Sequence, residues 1–302
     1  MHLSAVVNTR NEERNIVRCL QHISPYVDEI VVVDMESSDN TVKLARKFTA
    51  KIWQHENTGY VEPARNFAIG KATGEWILLI DADEILPEAL GLKLRRLAQH
   101  GVYSYYRIPR KNLLFGKWLS HSGWWPDYQI RLFKQGSVSW NDEIHSVPVT
   151  EGVGMDLPAE EKNALLHYNY ATLEEYLTRL NRYTSQEAKQ LVQDDYVFSW
   201  KNLVAKPGQE FLTRYFAWEG YKDGLHGLAL AMLQAVSFAV VELKVWENTG
   251  FKDDVNAGQP DDVMKQLRKI KYQLNFWYFT KKAETSSDLT KTINKIRAKI
   301  SL

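Results

Sequence analysis

Trp76-Ile77-Leu78-Leu79-Ile80 runs directly into Asp81-Ala82-Asp83-Glu84. Five consecutive large apolar residues without polar alternation read as a strand buried on both faces, as in the middle of a parallel sheet. Such sheets gather ligands at the carboxyl ends of their strands, so Asp81 and Asp83 arrive at a binding edge. If the extended conformation continues through Ala82, both carboxylates point the same way. Paired carboxylate oxygens suit a hard divalent cation, Mg2+ or Mn2+, which in turn grips phosphate oxygens. The same tetrapeptide also suits a plain turn leading to a helix that opens at Pro87.

Outward from this run, strand and helix signals alternate. Leu3 to Val7 and Ile30 to Val33 are short buried-strand runs, and Ile16, Leu20 and Ile23 between them fall at helical spacing. Ser37, Ser38, Asp39 and Asn40 supply cap chemistry for a helix over Thr41 to Phe48, with Asp39 as a capping residue. Ala64, Phe67, Ala68 and Lys71 predict another helix, stopped near Gly74, and Leu90, Leu94 and Leu97 line the one after Pro87. This order implies an open, mostly parallel α/β sheet with right-handed crossovers. From Tyr103 to about Val149 shorter pieces such as Gln129 to Phe133 predict an added, partly antiparallel half. A capping box, Thr172 with Glu175, starts a helix with Leu173, Tyr176, Leu177, Leu180 and Tyr183 on one face, and the remainder reads as helical.

The chain's 302 residues allow one large domain or two ordinary ones. The single cysteine, Cys19, cannot form an internal disulfide, and the first residues read as a strand rather than a leader, so a reducing cytoplasm is expected. A net charge of +1 is unevenly spread: residues 265–302 hold 10 Lys or Arg against 2 Asp or Glu. Such a basic tail favours anionic surfaces, phospholipid or nucleic acid. Residues 224–241 carry no formal charge and fit either a buried core helix or a membrane-embedded or interfacial one, with the latter favoured. Phe276 to Phe279 beside Lys281 and Lys282 fit an interfacial anchor. Leu289, Ile293, Ile296 and Ile300, flanked by Lys291, Lys295 and Lys299, form a basic amphipathic helix.

A second strand, Ile30 to Val33, ends in Asp34, and the first ends in Asn8-Thr9-Arg10-Asn11-Glu12. Asp34 can accept from the imide N–H of a uracil or from a ribose hydroxyl. With Ser38-Asp39-Asn40-Thr41, Ala64-Arg65-Asn66 and Gly74 to Asp83, these pieces closely resemble the family 2 glycosyltransferases, whose nucleotide-binding core is the GT-A fold. No Gly-x-Gly-x-x-Gly follows the first strand and no Walker loop is present, which removes the dinucleotide and P-loop readings.

The resemblance implies a GT-A catalytic domain over 1–170 (1–100 nucleotide-sugar half, 101–170 acceptor half), followed by a helical, membrane-associated region over 171–302. It implies a metal-dependent, inverting hexosyltransferase. The donor is a nucleoside diphosphate sugar, UDP favoured over GDP, and the acceptor a glycan or lipid-linked hydroxyl. Carried over by motif, Thr9, Glu12 and Asp34 would hold the nucleoside, and Arg65 would reach base or diphosphate. Asp81 would contact ribose or metal, and Asp83 would bind the metal. His167 is a candidate further ligand, against the competing reading of a hydrogen-bonded core histidine, and Arg131 is a candidate diphosphate contact. Trp124 and Trp125 read as core packing or as an acceptor platform.

The acceptor's proton needs a base. In the lipopolysaccharide-core subgroup that the chain resembles, a Trp is followed by His-Glu; here Trp140 leads to His145-Ser146. Glu143 is the first candidate, then Asp127, with His145 as a site neighbour. The later helical part, with Tyr221-Lys222-Asp223-Gly224, resembles that subgroup more loosely and implies peripheral attachment to the inner face of the plasma membrane, with no nucleic acid partner. A non-catalytic nucleotide-fold protein docking on membrane or nucleic acid through its basic tail is the alternative. A nucleotidyltransferase would need a Gly-rich basic loop after the first strand, which is absent.

Overall fold

The structure is a computed structural model that describes residues 2–59, 61–141, 147–252 and 259–300. It divides into two compact units, residues 1–113 with 125–169, and residues 114–124 with 170–302.

In the first unit β1 (Leu3–Thr9), β2 (Glu29–Asp34), β3 (Ile52–Gln54) and β4 (Trp76–Asp81) lie parallel in the order β3-β2-β1-β4. The crossovers carry α1 (Ile16–Ile23), α2 (Thr41–Ala45) and α3 (Glu62–Ile69). All of β1 and β2 is buried, and so is β4 as far as Ile80. The apolar run lacks alternation because both of its faces are covered. On one side α1 sets Ile16, Leu20 and Ile23 against Val7, Leu78 and Ile80; on the other, Ala68 and Ile69 of α3 meet Val31, Ile77 and Leu79. Helix α2 stops at Ala45, short of the predicted Phe48, where the chain passes into turns.

The chain continues through β5 (Glu84–Ile85), α4 (Glu88–His100), β6 (Tyr105–Leu114), β7 (Lys117–Trp118), β8 (Asp127–Lys134), β9 (Val138–Ser139), β10 (Val149–Thr150), β11 (Gly154–Asp156) and β12 (Leu165–Tyr170). Strand β8 is antiparallel to both β4 and β6, so the sheet beyond β4 reverses direction. The extended conformation does not persist through Ala82. The chain turns at Ala82 and Asp83, and β5 then pairs antiparallel with β12, Glu84 opposite His167 and Ile85 opposite Leu166.

At the opposite end of the parallel strands, Glu29 accepts from Ser4, Lys51, the Thr73 N–H (2.8 Å) and the Thr73 hydroxyl (3.1 Å). Gly74 N–H donates to Ser4 Oγ at 2.9 Å. A Cβ at Gly74 would come within 2.6 Å of that hydroxyl and 2.8 Å of the His2 carbonyl, so only glycine fits there.

The second unit is helical: α5 (Leu173–Gln193), α6 (Trp200–Leu212), α7 (Leu225–Asn248), α8 (Pro260–Glu284) and α9 (Asp288–Ile300). Thr172 Oγ1 accepts the Glu175 N–H (3.1 Å) while the Glu175 carboxylate accepts the Ala171 N–H (2.9 Å), closing the cap of α5. Tyr176 packs with Leu114, Leu119 and Leu230, and Trp124 joins this core. Of the predicted α5 stripe, Leu173 and Leu177 are exposed.

Buried Asp223 accepts from the Ser120 hydroxyl (3.1 Å) and the His121 N–H (3.0 Å), and its carbonyl accepts from Lys117 Nζ (2.8 Å). This knot accounts for the Asp in Tyr221-Lys222-Asp223-Gly224. Helix α7 is long and apolar enough to cross a membrane, yet only 33% of its most apolar window is buried. It carries fully buried Glu242, which accepts from Tyr196 Oη and Lys206 Nζ, both at 2.6 Å.

Candidate active site

The carboxyl ends of three parallel strands set the site. Thr9 is in register with Asp34, and Asn8 with Asp81, so all four residues lie at one lip of the sheet. Asp34 is buried, and its Oδ2 accepts the Ser37 N–H at 3.0 Å. Its Oδ1 has no partner among the described residues, and the same holds for buried Thr9 Oγ1 and Asn8 Oδ1. Buried polar atoms left unpaired are costly and uncommon. Three of them at one strand-end edge define a place for a ligand's polar groups.

The loops beyond these strands lock together. Glu12 N–H donates to Thr41 Oγ1 (2.8 Å), Ser38 N–H to Asn11 Oδ1 (2.8 Å) and Asn40 N–H to the Glu13 carboxylate (3.1 Å). Glu12's carboxylate accepts from Asn15 Nδ2 at 2.7 Å. Asp39, one residue before the N-cap Asn40, accepts the Thr41 N–H at 2.9 Å and the Glu13 N–H at 3.1 Å, bracing the loop instead of capping the helix as expected.

Asp81 and Asp83 face different partners because the strand turns between them. The Asp81 carboxylate pairs with Arg131, with Arg65 at 3.2 Å and with Arg110 at 3.9 Å. Burial works to raise its pKa, but these guanidinium groups outweigh burial and hold the carboxyl far below its ordinary range. Fully buried Glu84 accepts the Asp81 N–H (2.9 Å) and pairs with Arg131 (2.5 Å) and Arg110 (3.4 Å). Arg131 is itself buried; burial alone would favour its neutral form, and Asp81 and Glu84 hold it charged. Arg131 is thus engaged by carboxylates of its own chain.

Asp83 Oδ2 lies 3.4 Å from His167 Nε2, and both residues are buried. On the other side of the ring, His167 Nδ1 is 2.6 Å from Asn112 Oδ1, and Asn112 Nδ2 donates to Asp127 Oδ2 at 3.0 Å. Asp127 also accepts from Gln129 Nε2 (2.8 Å) and from Arg110 Nη2 (2.7 Å). Burial pushes the Asp127 pKa up, and Arg110 with these hydrogen bonds reverses that push to leave it below the usual carboxylate value.

A carboxylate oxygen and an imidazole nitrogen 3.4 Å apart supply two donors for Mn2+ or Mg2+, whose remaining positions are ordinarily filled by water and substrate phosphate. Among the described residues no cluster of three or more His, Cys, Asp or Glu could enclose a cation. Asp83 and His167 are the candidate protein ligands, whereas Asp81 is turned to the arginines. Glu143 and His145 lie outside the described residues. Trp140, just before them, is clamped by Asn66, which accepts the Trp140 N–H (2.9 Å) and donates to its carbonyl (2.6 Å); Arg65 sits 5.5 Å from the Trp140 ring.

Sequence reading missed Arg110, Asn112 and the pairing of Glu84. The signal for Arg110 and Asn112 lies in β6, where one face runs Tyr106, Ile108, Arg110, Asn112. A switch from apolar to polar along one strand face marks where core ends and site begins.

Residues 4–150 match the family model described as "Glycosyl transferase family 2". An uncharacterized glycosyltransferase of Rickettsia typhi is 29% identical over 242 residues, covering 77% of this chain and 82% of its own. The lipopolysaccharide core biosynthesis glycosyltransferase LpsC of Rhizobium meliloti is 26% identical over 257 residues, covering 83% of this chain and 94% of its own. Among solved structures, glucosyl-3-phosphoglycerate synthase from Mycobacterium tuberculosis with Mg2+ and UDP is 25% identical, with a TM-score of 0.31 over 37% of this chain and 43% of that one. With the strand-end acids at one lip of a mostly parallel sheet, residues 4–150 of the chain make up a domain that matches glycosyl transferase family 2.

Proposed function

We propose that the protein transfers a hexose from a nucleoside diphosphate sugar, UDP-linked, to an acceptor hydroxyl with inversion at the anomeric carbon, in a metal-dependent reaction. The observation that carries this reading is the strand-end lip of Thr9, Asp34 and Asp81, where Asp34 Oδ1 and Thr9 Oγ1 have no partner among the described residues, with Asp83, two residues after Asp81, facing His167 at 3.4 Å. Asp34 and Thr9 receive the polar edge of the nucleoside, and Glu12 and Arg65 border it. Asp83 and His167 hold Mg2+ or Mn2+, which when bound neutralises charge on the departing diphosphate. The acceptor oxygen bonds to the anomeric carbon as the sugar–phosphate bond breaks, its electron pair leaving on the diphosphate oxygen. The hydroxyl proton passes to a carboxylate. Asp127, held below the usual carboxylate value and committed to Arg110, Asn112 and Gln129, is a weak base, so that role falls to Glu143.

We place the acceptor on a membrane surface, as a glycan or lipid-linked sugar, with the enzyme docked from the cytoplasmic side. Helix α9 buries Asn294 and Ala298 and leaves Ile293, Ile296 and Ile300 exposed, among Lys291, Lys295, Arg297 and Lys299. An outward apolar stripe edged by cations matches an anionic bilayer. The name of LpsC, a relative assigned to lipopolysaccharide core biosynthesis, agrees with such an acceptor.

The test is thermal stabilisation by UDP, GDP and CMP with and without Mn2+. UDP at about 100 times its Kd should stabilise the fold by about 2.7 kcal/mol, and only with the cation present. No response to any of them at millimolar Mn2+ overturns the reading.

A further inference from the structure

We propose that Asp127 and Asn112 are a positioning pair that fixes the tautomer of His167, turning the Nε2 lone pair, and not an N–H, toward Asp83. The inference rests on the cation site proposed above and adds residues that lie behind it.

The polarity of the chain leaves one arrangement. The Asp127 carboxylate can only accept, and it does so from Arg110 Nη2 (2.7 Å), Gln129 Nε2 (2.8 Å) and Asn112 Nδ2 (3.0 Å). Asn112 therefore spends its NH2 group on Asp127 and offers its carbonyl oxygen to His167, 2.6 Å from Nδ1. A carbonyl oxygen can only accept, so Nδ1 must carry the hydrogen. In a neutral ring the lone pair is then on Nε2, 3.4 Å from Asp83 Oδ2. Two acceptors facing each other suit a shared cation. The other tautomer would donate Nε2–H to Asp83 and close the site to metal. Asn112 and His167 are 4% and 6% exposed, so water does not readily substitute for the amide. Sheet register holds the relay, since Arg110 on β6 pairs with Asp127 on β8.

The relay gives Asp127 a function separate from proton abstraction. Asp127 Oδ2 takes both the Arg110 and the Asn112 donors, so an amide oxygen in its place would still hold Asn112, whereas removing the side chain lets Asn112 rotate, present NH2 to Nδ1 and select the wrong tautomer. Second-sphere partners of this kind change metal affinity about 10- to 100-fold.

The experiment uses the full chain with two readouts. Long-range 1H–15N correlation on 15N-histidine protein, with the His167 signals assigned by His167→Gln, reports the tautomer in the absence of metal. Mn2+ binding in the presence of UDP, followed by electron paramagnetic resonance, reports affinity. Wild type should show Nδ1–H. Asn112→Ala and Asp127→Ala should each lose that signature and bind Mn2+ about 10- to 100-fold more weakly. Asp127→Asn, whose amide oxygen can take the place of Oδ2 between Arg110 and Asn112, should keep both readouts. An Nε2–H ring in wild type, or alanine variants that keep both the Nδ1–H signature and the affinity, overturns the inference. So does an Asp127→Ala enzyme that loses only kcat, because that pattern belongs to a general base. Asp83→Asn separates the levels: if it leaves Mn2+ affinity unchanged the cation site is wrong, and the tautomer of wild type and Asn112→Ala still decides the relay.

Discussion

Asp83 and His167 face each other at 3.4 Å because β5, only two residues long, pairs Glu84 with His167 directly after the turn that carries Asp83. Removing either side chain should weaken cation-dependent transfer. Asp83→Ala takes away the charged side chain of the proposed cation pair, and a loss of about 10²- to 10³-fold in kcat is expected, the scale for deleting a main electrostatic stabiliser. His167→Ala should be rescued in part by raising Mn2+, since it lowers affinity and keeps the carboxylate. Transfer assays over a Mn2+ titration check both; full activity of Asp83→Ala at low Mn2+ contradicts the assignment.

The arginines behind Asp81 predict a stability effect. Arg131 pairs with Glu84, and both are essentially inaccessible to water. Arg131→Met would leave buried Glu84 with only the longer Arg110 pairing at 3.4 Å, a loss of up to about 3–5 kcal/mol, while adding Glu84→Gln should recover part of it. Urea unfolding of the two variants measures it. Arg131→Lys is also expected to destabilise, because an ammonium cannot reproduce a guanidinium that bridges two carboxylates. Equal midpoints for wild type and Arg131→Met would show that the pairing contributes nothing.

Several of these features were legible in the chain itself. The Trp76 to Ile80 run, Asp34 after its own apolar strand and the Thr172 cap depend on local sequence, so periodicity and cap chemistry find them. The divergence of Asp81 from Asp83 depends on a turn that exists because β12 captures β5, a pairing between distant segments. Arg110, Asn112 and Gln129 reach Asp127 and His167 only through the β6–β8 register, which includes an irregularity between Tyr106 and Arg107. His167 illustrates the limit. Buried and hydrogen-bonded like a core histidine, it also faces Asp83, so the two readings of it from sequence describe one geometry.

Glu29 gives a pH prediction. Burial would raise its pKa, but hydrogen bonds from Lys51, Ser4 and Thr73 overcome burial and lower it from 4.5 to about 2. A depressed folded-state value means stabilisation that is complete above pH 4.5 and is lost as pH falls from there to about 2. At about 1.4 kcal/mol per unit the contribution is on the order of 3 kcal/mol. Glu29→Gln should be less stable than wild type at pH 7 by up to about that amount, and the two stability curves should converge in acid. Parallel curves across this range would refute the coupling.

The exposed stripe of α9 separates membrane docking from an incidental apolar surface. Ile296 is 52% exposed and Ile293 43%, while Asn294 and Ala298 face inward, so replacing both isoleucines by Asp leaves the packed side of the helix intact. Each substitution places a charge where contact with acyl chains would be required and also lowers the positive charge of the face. Flotation with vesicles of phosphatidylglycerol and phosphatidylethanolamine should show wild type bound, with binding falling as salt rises, because screening shortens the reach of Lys291, Lys295, Arg297 and Lys299. The double Ile→Asp variant should stay with the soluble fraction while its transfer to a water-soluble acceptor analogue is unchanged. Equal flotation of the two proteins would locate any membrane contact elsewhere in the second unit, on the exposed Leu225, Met232 and Phe238 of α7 first, since that helix is long and apolar enough to cross a membrane.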